Sequence, residues 1–241
     1  MSGHSKWSTI KRKKGVTDAK RGAVFTKLGN LIAIAAREKG GDMDTNFGLR
    51  MAVDKAKSAN MPKDNIERAI KRGTGELEGQ QIEELIYEGI GPVNSQFVIK
   101  AVTDNKNRSA AVIRHALTKF GGSLGSVMWN FEQKGVVRIE AEIVKEDKLD
   151  SEDAELELID LGAEDVINND DGMEIILPLT DLQKASKFFE DKGTKIDSAE
   201  LEYIAKDKVE VTDDEKESIE KFIDLLDECE DVGDWYTNII L

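Results

Sequence analysis

Lys11, Arg12, Lys13 and Lys14 stand side by side, with Lys6 before them and Lys20 and Arg21 after. Cations this closely spaced bind phosphate by releasing its condensed counterions, so the chemistry they offer is polyanion binding. Trp7 sits between Lys6 and the main cluster. Two roles are open to it: stacking on an unpaired base, or anchoring the basic segment to the body of the protein. A second set of cations follows Met61-Pro62, where Lys63 opens a helical pattern and Arg68, Lys71 and Arg72 fall three and four apart, on one helix face. Asp64 at the start of that pattern complements the helix dipole. A third candidate is the polar turn Thr103-Asp104-Asn105-Lys106-Asn107-Arg108. It offers Asn105, Lys106 and Arg108 to a phosphate, or else simply caps the helix that follows.

Other chemistries find no support. Only His4 and His115 are present, so neither a histidine-based triad nor a histidine-rich metal site is indicated. Neither nucleotide-binding glycine motif, GxxxxGK[ST] or GxGxxG, occurs. Asp42-Met43-Asp44-Thr45-Asn46 begins like a calcium loop. Phe47 then stands where the glycine belongs and Val53 where the closing glutamate belongs. Carboxylate pairs are abundant, but in so acidic a chain they say nothing about acid–base catalysis. The expectation is a protein that is not an enzyme and uses no cofactor or metal.

The charge is divided along the chain. Residues 1–75 hold 17 Lys+Arg against 7 Asp+Glu, a balance of +10, while the remainder carries −24. Most of the acidic excess lies in residues 132–241, with 35 acidic and 12 basic groups. A basic segment on an acidic body neutralises phosphates while the body stays soluble and is repelled by nucleic acid. The single cysteine, Cys229, fits a reducing compartment. No apolar run approaches the roughly 20 residues needed to span a bilayer, and the N-terminus lacks a secretory segment. A cytoplasmic protein without a membrane partner is expected. No particular oligomeric state is signalled.

The elements that must position these residues follow from periodicity. Residues 2–16 show neither helical nor strand repeat and read as a basic, mobile arm. Val24, Leu28, Leu31, Ile32 and Ala35 predict a helix from Thr17 or Asp18 to Gly40-Gly41. A second follows Thr45 or Asn46, and a third starts at Pro62 and buries Ile66, Ala69 and Ile70. Beyond a linker near Gly73–Gln81, strands are expected at 82–90 and 96–103, then a helix over 108–120 burying Val112, Ile113, Ala116, Leu117 and Phe120. An alternating strand is expected at 127–131. Residues 136–205 spell strand-helix-strand-strand-helix-strand, the ferredoxin-like order. A strand near Val209, a helix over 213–229 and a strand over 235–241 complete the chain. Neither 82–132 nor 207–241 can bury its apolar face alone. The expected architecture is α+β: an N-terminal three-helix domain (1–76), an α/β domain from 82–132 plus 207–241, and a ferredoxin-like α/β domain (133–206) inserted in it.

The segments GHSKW, KRKK, DAKRGAVFTKL, MPKDNIERAIKRGTG and TDNKNR together resemble the YebC/PmpR family. The resemblance runs from Ser2 to the C-terminus and is strongest over 2–75. It implies three domains in the arrangement just described. It also implies nucleic acid as partner, through the basic motif at Lys6, Lys11, Arg12, Lys13, Lys14, Lys20 and Arg21. Some members are described as DNA-binding transcriptional regulators. Others, including the mitochondrial translational activator of cytochrome c oxidase, act in translation on the ribosome, where the family is linked to difficult stretches such as consecutive prolines. Two loops depart from the family pattern: Tyr87–Asn94 lacks the usual following glycines, and Ser123–Trp129 is shortened. The function expected is a nucleic-acid-binding regulator of gene expression, a transcriptional regulator on DNA, with a translation factor on ribosomal RNA as the alternative.

Overall fold

The computed structural model describes residues 18–77 and 82–240, with side chains from Gly22 onward. The described residues divide into two compact units, one over 132–204 and the other over the flanking segments 18–131 and 205–240.

In the outer unit, helix α1 (Asp18–Lys39) ends where Gly40 turns to φ +90°. Helix α2 (Phe47–Ser58) begins one short turn later, and a buried Asn46 joins the two. Its Oδ1 accepts from Leu49 N at 3.0 Å, and its Nδ2 donates to Ala35 O at 2.8 Å and Gly40 O at 2.7 Å. One side chain thus satisfies an orphan donor of α2 and ties it to two carbonyls at the end of α1. Helix α3 (Lys63–Gly73) follows Pro62 and lies against α1. Leu28, Ile32, Ala36, Leu49, Val53, Ala56, Met61, Ile66 and Ala69 form the core of this helical layer.

Gly73 sets how closely α1 and α3 approach. A Cβ there would lie 2.3 Å from Ala33 O and 2.7 Å from Ala36 Cβ. Gly73→Ala is therefore expected to force the helices apart and cost about 1–3 kcal/mol in urea unfolding. Gly22→Ala serves as its contrast. Nothing lies within 4 Å of that Cβ, so removing a glycine from helix α1 is expected to stabilise by about 0.5–1 kcal/mol.

The α/β part of this unit is a four-stranded sheet in the order β3-β1-β2-β8, built from β1 (Glu83–Ile90), β2 (Gln96–Thr103), β3 (Ser123–Leu124) and β8 (Val232–Thr237). Helices α4 (Lys106–Lys119) and α8 (Asp213–Glu228) supply its core with the strands, Phe97 meeting Phe222 edge-on at 4.9 Å. Leu31 and Ile34 of α1 pack with Val102 and Ile82. Strand β2 is consequently buried on both faces and reads as an apolar run rather than an alternation.

The inner unit contains β4 (Phe131–Glu140), α5 (Ala141–Glu146), α6 (Glu152–Leu161), β5 (Asp165–Asn169), β6 (Gly172–Pro178), α7 (Leu182–Lys192) and β7 (Ser198–Ala205). The sheet order β5-β6-β4-β7 is ferredoxin-like. Val137 pairs with Ile175 and Ile139 with Met173, all buried. Gly135 brings α7 close, since a Cβ there would lie 2.9 Å from Leu182 Cβ.

Three expectations fail locally. The alternation at 127–131 is a 3-10 turn over Met128–Asn130, and β4 starts only at Phe131. Glu88 Oε2 accepts from Val127 N and Met128 N, both at 2.7 Å, and folds the segment back, leaving Trp129 63% exposed. Val112 is exposed, because the buried face of α4 runs through Ser109, Ile113, Ala116 and Leu117. Near Val209 there is a single parallel bridge to Ile239 rather than a strand.

Candidate nucleic-acid interface

Lys6, Trp7, Lys11, Arg12, Lys13 and Lys14 lie outside the described residues, as do the side chains of Lys20 and Arg21. The remaining candidates fall in two places.

On α3, Arg68 and Lys71 are exposed, with no carboxylate partner among the described residues. Lys63 is also exposed, with Glu67 Oε1 at 3.6 Å from its Nζ. Arg72 is bound back to α1. Its Nη2 donates to Gly29 O at 3.0 Å and to Asn30 Oδ1 at 2.8 Å, and burial pulls its pKa below the ordinary guanidinium value. Arg68 and Arg72 border an open groove of about 390 Å³ between α1 and α3. Gly29, Met61 and Ala69 are buried in its lining. Phe25, Asn30 and Asn65 also line it, none of which the charge pattern pointed to.

The turn before α4 is committed to the fold. Asn105 caps the helix, its Oδ1 accepting from Arg108 N at 3.1 Å, and Lys106 pairs with Glu83 at 2.7 Å. The Arg108 guanidinium grips Asp231 with two hydrogen bonds, Nε to Oδ2 at 3.0 Å and Nη2 to Oδ1 at 2.7 Å, and also reaches Asp104 at 2.8 Å. Ser109 Oγ donates to Asp231 at 2.9 Å. Burial alone would raise the pKa of Asp231, but these donors outweigh it and hold the carboxyl below its ordinary 3.8. A depressed carboxyl pKa gives stability that is fully present above the ordinary value and lost as pH falls through the folded one. Asp231→Asn is therefore expected to cost about 1–3 kcal/mol at neutral pH. In thermal melts against pH, the gap from the parent protein should close below about pH 4.

Cations facing the α/β part of the same unit are similarly engaged. Lys27 Nζ donates to Asp227 O at 2.8 Å, where the last turn of α8 attracts a positive charge. Burial lowers the Lys27 pKa despite the acidic groups around it. Lys55 lies 3.5 Å from Asp234. Of the candidate cations with described side chains, Arg68 and Lys71 are thus the ones without a carboxylate partner among the described residues. Among the described residues there is no cluster of metal-ligating side chains, and no helix is long and apolar enough to cross a membrane.

Two family models match the chain: the TACO1/YebC protein N-terminal domain over residues 5–76, and the TACO1/YebC second and third domain over residues 82–239. A probable transcriptional regulatory protein of Thermoanaerobacter pseudethanolicus is 45% identical over 242 residues, covering 99% of this chain and 97% of that protein. One from Thermotoga maritima is 46% identical over 241 residues, covering 99% and 93%. Among solved structures, a conserved hypothetical protein from Aquifex aeolicus superposes with a TM-score of 0.85 at 38% identity, covering 98% of this chain and 96% of that one. With both models matched across nearly its whole length and full-length relatives at this identity, the chain belongs to the TACO1/YebC family.

Proposed function

We propose that this protein is a regulator of gene expression that binds nucleic acid through its N-terminal helical domain, and that it is not an enzyme. The observation that carries this reading is the division of charge, +10 over residues 1–75 against −24 over the rest. Lys27 and Lys55 are spent on the acidic α/β part, while Arg68 and Lys71 are exposed. The nucleic-acid surface proposed comprises Lys6, Trp7, Lys11, Arg12, Lys13, Lys14, Lys20 and Arg21 with Arg68, Lys71 and Arg72. Lys63 is a peripheral contributor. The relatives are named probable transcriptional regulatory proteins, and duplex DNA is the target a transcriptional role would call for.

A second reading, a translation factor on ribosomal RNA, is favoured by the state of α3. Sequence-selective readout of a major groove uses several Arg, Asn or Gln side chains projecting from one helix. Arg72 is tied back to α1, which leaves that face thin. Sedimentation with ribosomes on a sucrose gradient, with and without residues 2–21, separates the two readings when paired with a duplex titration at two salt concentrations. Tight, duplex-selective binding away from ribosomes supports the DNA reading. Co-sedimentation that depends on residues 2–21, with weak and unselective duplex affinity, replaces it with the RNA one. Binding to neither sinks both.

A further inference from the structure

We infer that the groove between α1 and α3 receives one unpaired nucleotide of a single-stranded RNA, its phosphate on Arg68 and its base against Phe25 and Asn65. This rests on the reading that the N-terminal domain binds nucleic acid, and it names the part of the polymer that is gripped.

The volume is the first argument. About 390 Å³ lies within the roughly 300–1,000 Å³ of sites that hold small ligands, whereas an intact duplex cannot enter a cleft between two packed helices. The lining is the second. In a chain with 48 Asp and Glu residues, none of those described lines this groove, and its two charged residues among the described ones are Arg68 and Arg72. Their roles differ. Arg72 is fixed by Gly29 O and Asn30, so it sets a positive potential without moving. Arg68 has no ion-pair partner among the described residues and is available to a phosphate.

The polar groups are the third argument. Asn65 lies three residues before Arg68, hence on the same face of α3, and its side-chain amide makes no hydrogen bond among the described residues. A primary amide donates and accepts at once, which is what the edge of a nucleobase requires. Phe25 is half-buried: it packs against the helical core and also lines the groove. An aromatic ring held by its core contacts is a stacking surface with little entropy left to lose. RNA is the polymer chosen because its loops and bulges present bases already unstacked, and because its 2′-hydroxyl suits polar lining such as Thr26 and Asn30.

Gly22 supplies the test. It lines the groove on α1, and a Cβ added there meets nothing within 4 Å. Gly22→Leu therefore fills the groove while favouring the helix, and its thermal melt should be no lower than that of the parent. Full-length protein is titrated into fluorescein-labelled homopolymeric RNA oligonucleotides, the same RNA annealed to its complement, and single-stranded DNA of equal length. The parent protein is expected to prefer single-stranded RNA. Gly22→Leu is expected to lose roughly 5- to 150-fold in affinity for it, the worth of one stacked base, with duplex affinity unchanged. Asn65→Ala, which leaves the groove open, should lose less. Unchanged RNA affinity in Gly22→Leu overturns the assignment, as does a parent protein indifferent to strandedness. Equal affinity for single-stranded DNA overturns the choice of RNA. In all three cases binding that still depends on Lys11–Lys14 leaves the broader reading standing. A parent protein that binds none of these probes removes both.

Discussion

Replacing Lys11, Arg12, Lys13 and Lys14 with glutamate is expected to reduce affinity for nucleic acid by at least about a hundredfold near physiological salt, with the unfolding transition unchanged. The magnitude follows from counterion release. Each neutralised phosphate contributes about 0.9 to the slope of log affinity against log salt on duplex DNA, and about 0.7 on a single strand. Losing four contacts should flatten that slope by about 3–4 units, and like-charge repulsion from the new glutamates adds to the loss. The fold should not respond, because among the described residues the helical core is built from Phe25 and Leu28 onward, beyond all four positions. Fluorescence anisotropy over a salt series measures both slope and affinity. A variant that keeps the parent slope would show that phosphate is neutralised elsewhere, and Arg68 and Lys71 would then have to carry the contact. A lower affinity with an unchanged slope would mean that the lost contacts were not electrostatic.

What could be read from the sequence and what could not differ in a physically consistent way. The three N-terminal helices were legible because their signals are local: Gly40 at one end, Asn46 as a cap, Pro62 before α3, and apolar residues at helical spacing between them. The ferredoxin-like order of the inner unit was legible for the same reason, since each strand and helix announces its own period. The failures lie where a distant side chain decides. Residues 127–131 alternate like a strand, yet Glu88, some 40 positions earlier, gathers two of their amides into a turn. Arg72 and Arg108 look like surface cations in sequence, but Asn30 and Asp231 claim them.

The groove was invisible for a related reason. Gly22 and Phe25 meet Asn65 and Arg68 only because α1 and α3 pack closely. The faint sequence signal for that packing is the glycine at Gly73, since glycine in a helix costs stability unless a neighbouring backbone must come near.

A charged residue inside an apolar strand is a stronger signal of the same kind, and Arg138 between Val137 and Ile139 gives the second large expected effect. Its side chain is buried in the inner unit, where Nη1 and Nη2 donate to Glu202 at 2.6 and 3.0 Å and Nε donates to Glu174 at 3.1 Å. Burial alone would pull the Arg138 pKa below the ordinary guanidinium range. Glu202, Glu174 and Glu200 outweigh it, and the pKa lies above that range. Arg138→Met keeps the length and apolar bulk of the side chain but takes the guanidinium away from two buried carboxylates. The expected cost is about 3–5 kcal/mol. Because Glu174 Oε1 is already buried without a hydrogen-bond partner, little spare solvation is at hand to absorb the loss.

The triple replacement Arg138→Met, Glu174→Met, Glu202→Leu removes all three charges together. It should recover most of that stability, because the desolvation of the ions disappears with them. Amide hydrogen exchange in β4, β6 and β7 is the appropriate measurement, since it reports opening of this unit separately from the rest of the chain. A single variant that exchanges like the parent would mean that water reaches the carboxylates. A triple variant no better than the single one would mean that the ionic cluster aligns the three strands in a way apolar packing cannot replace.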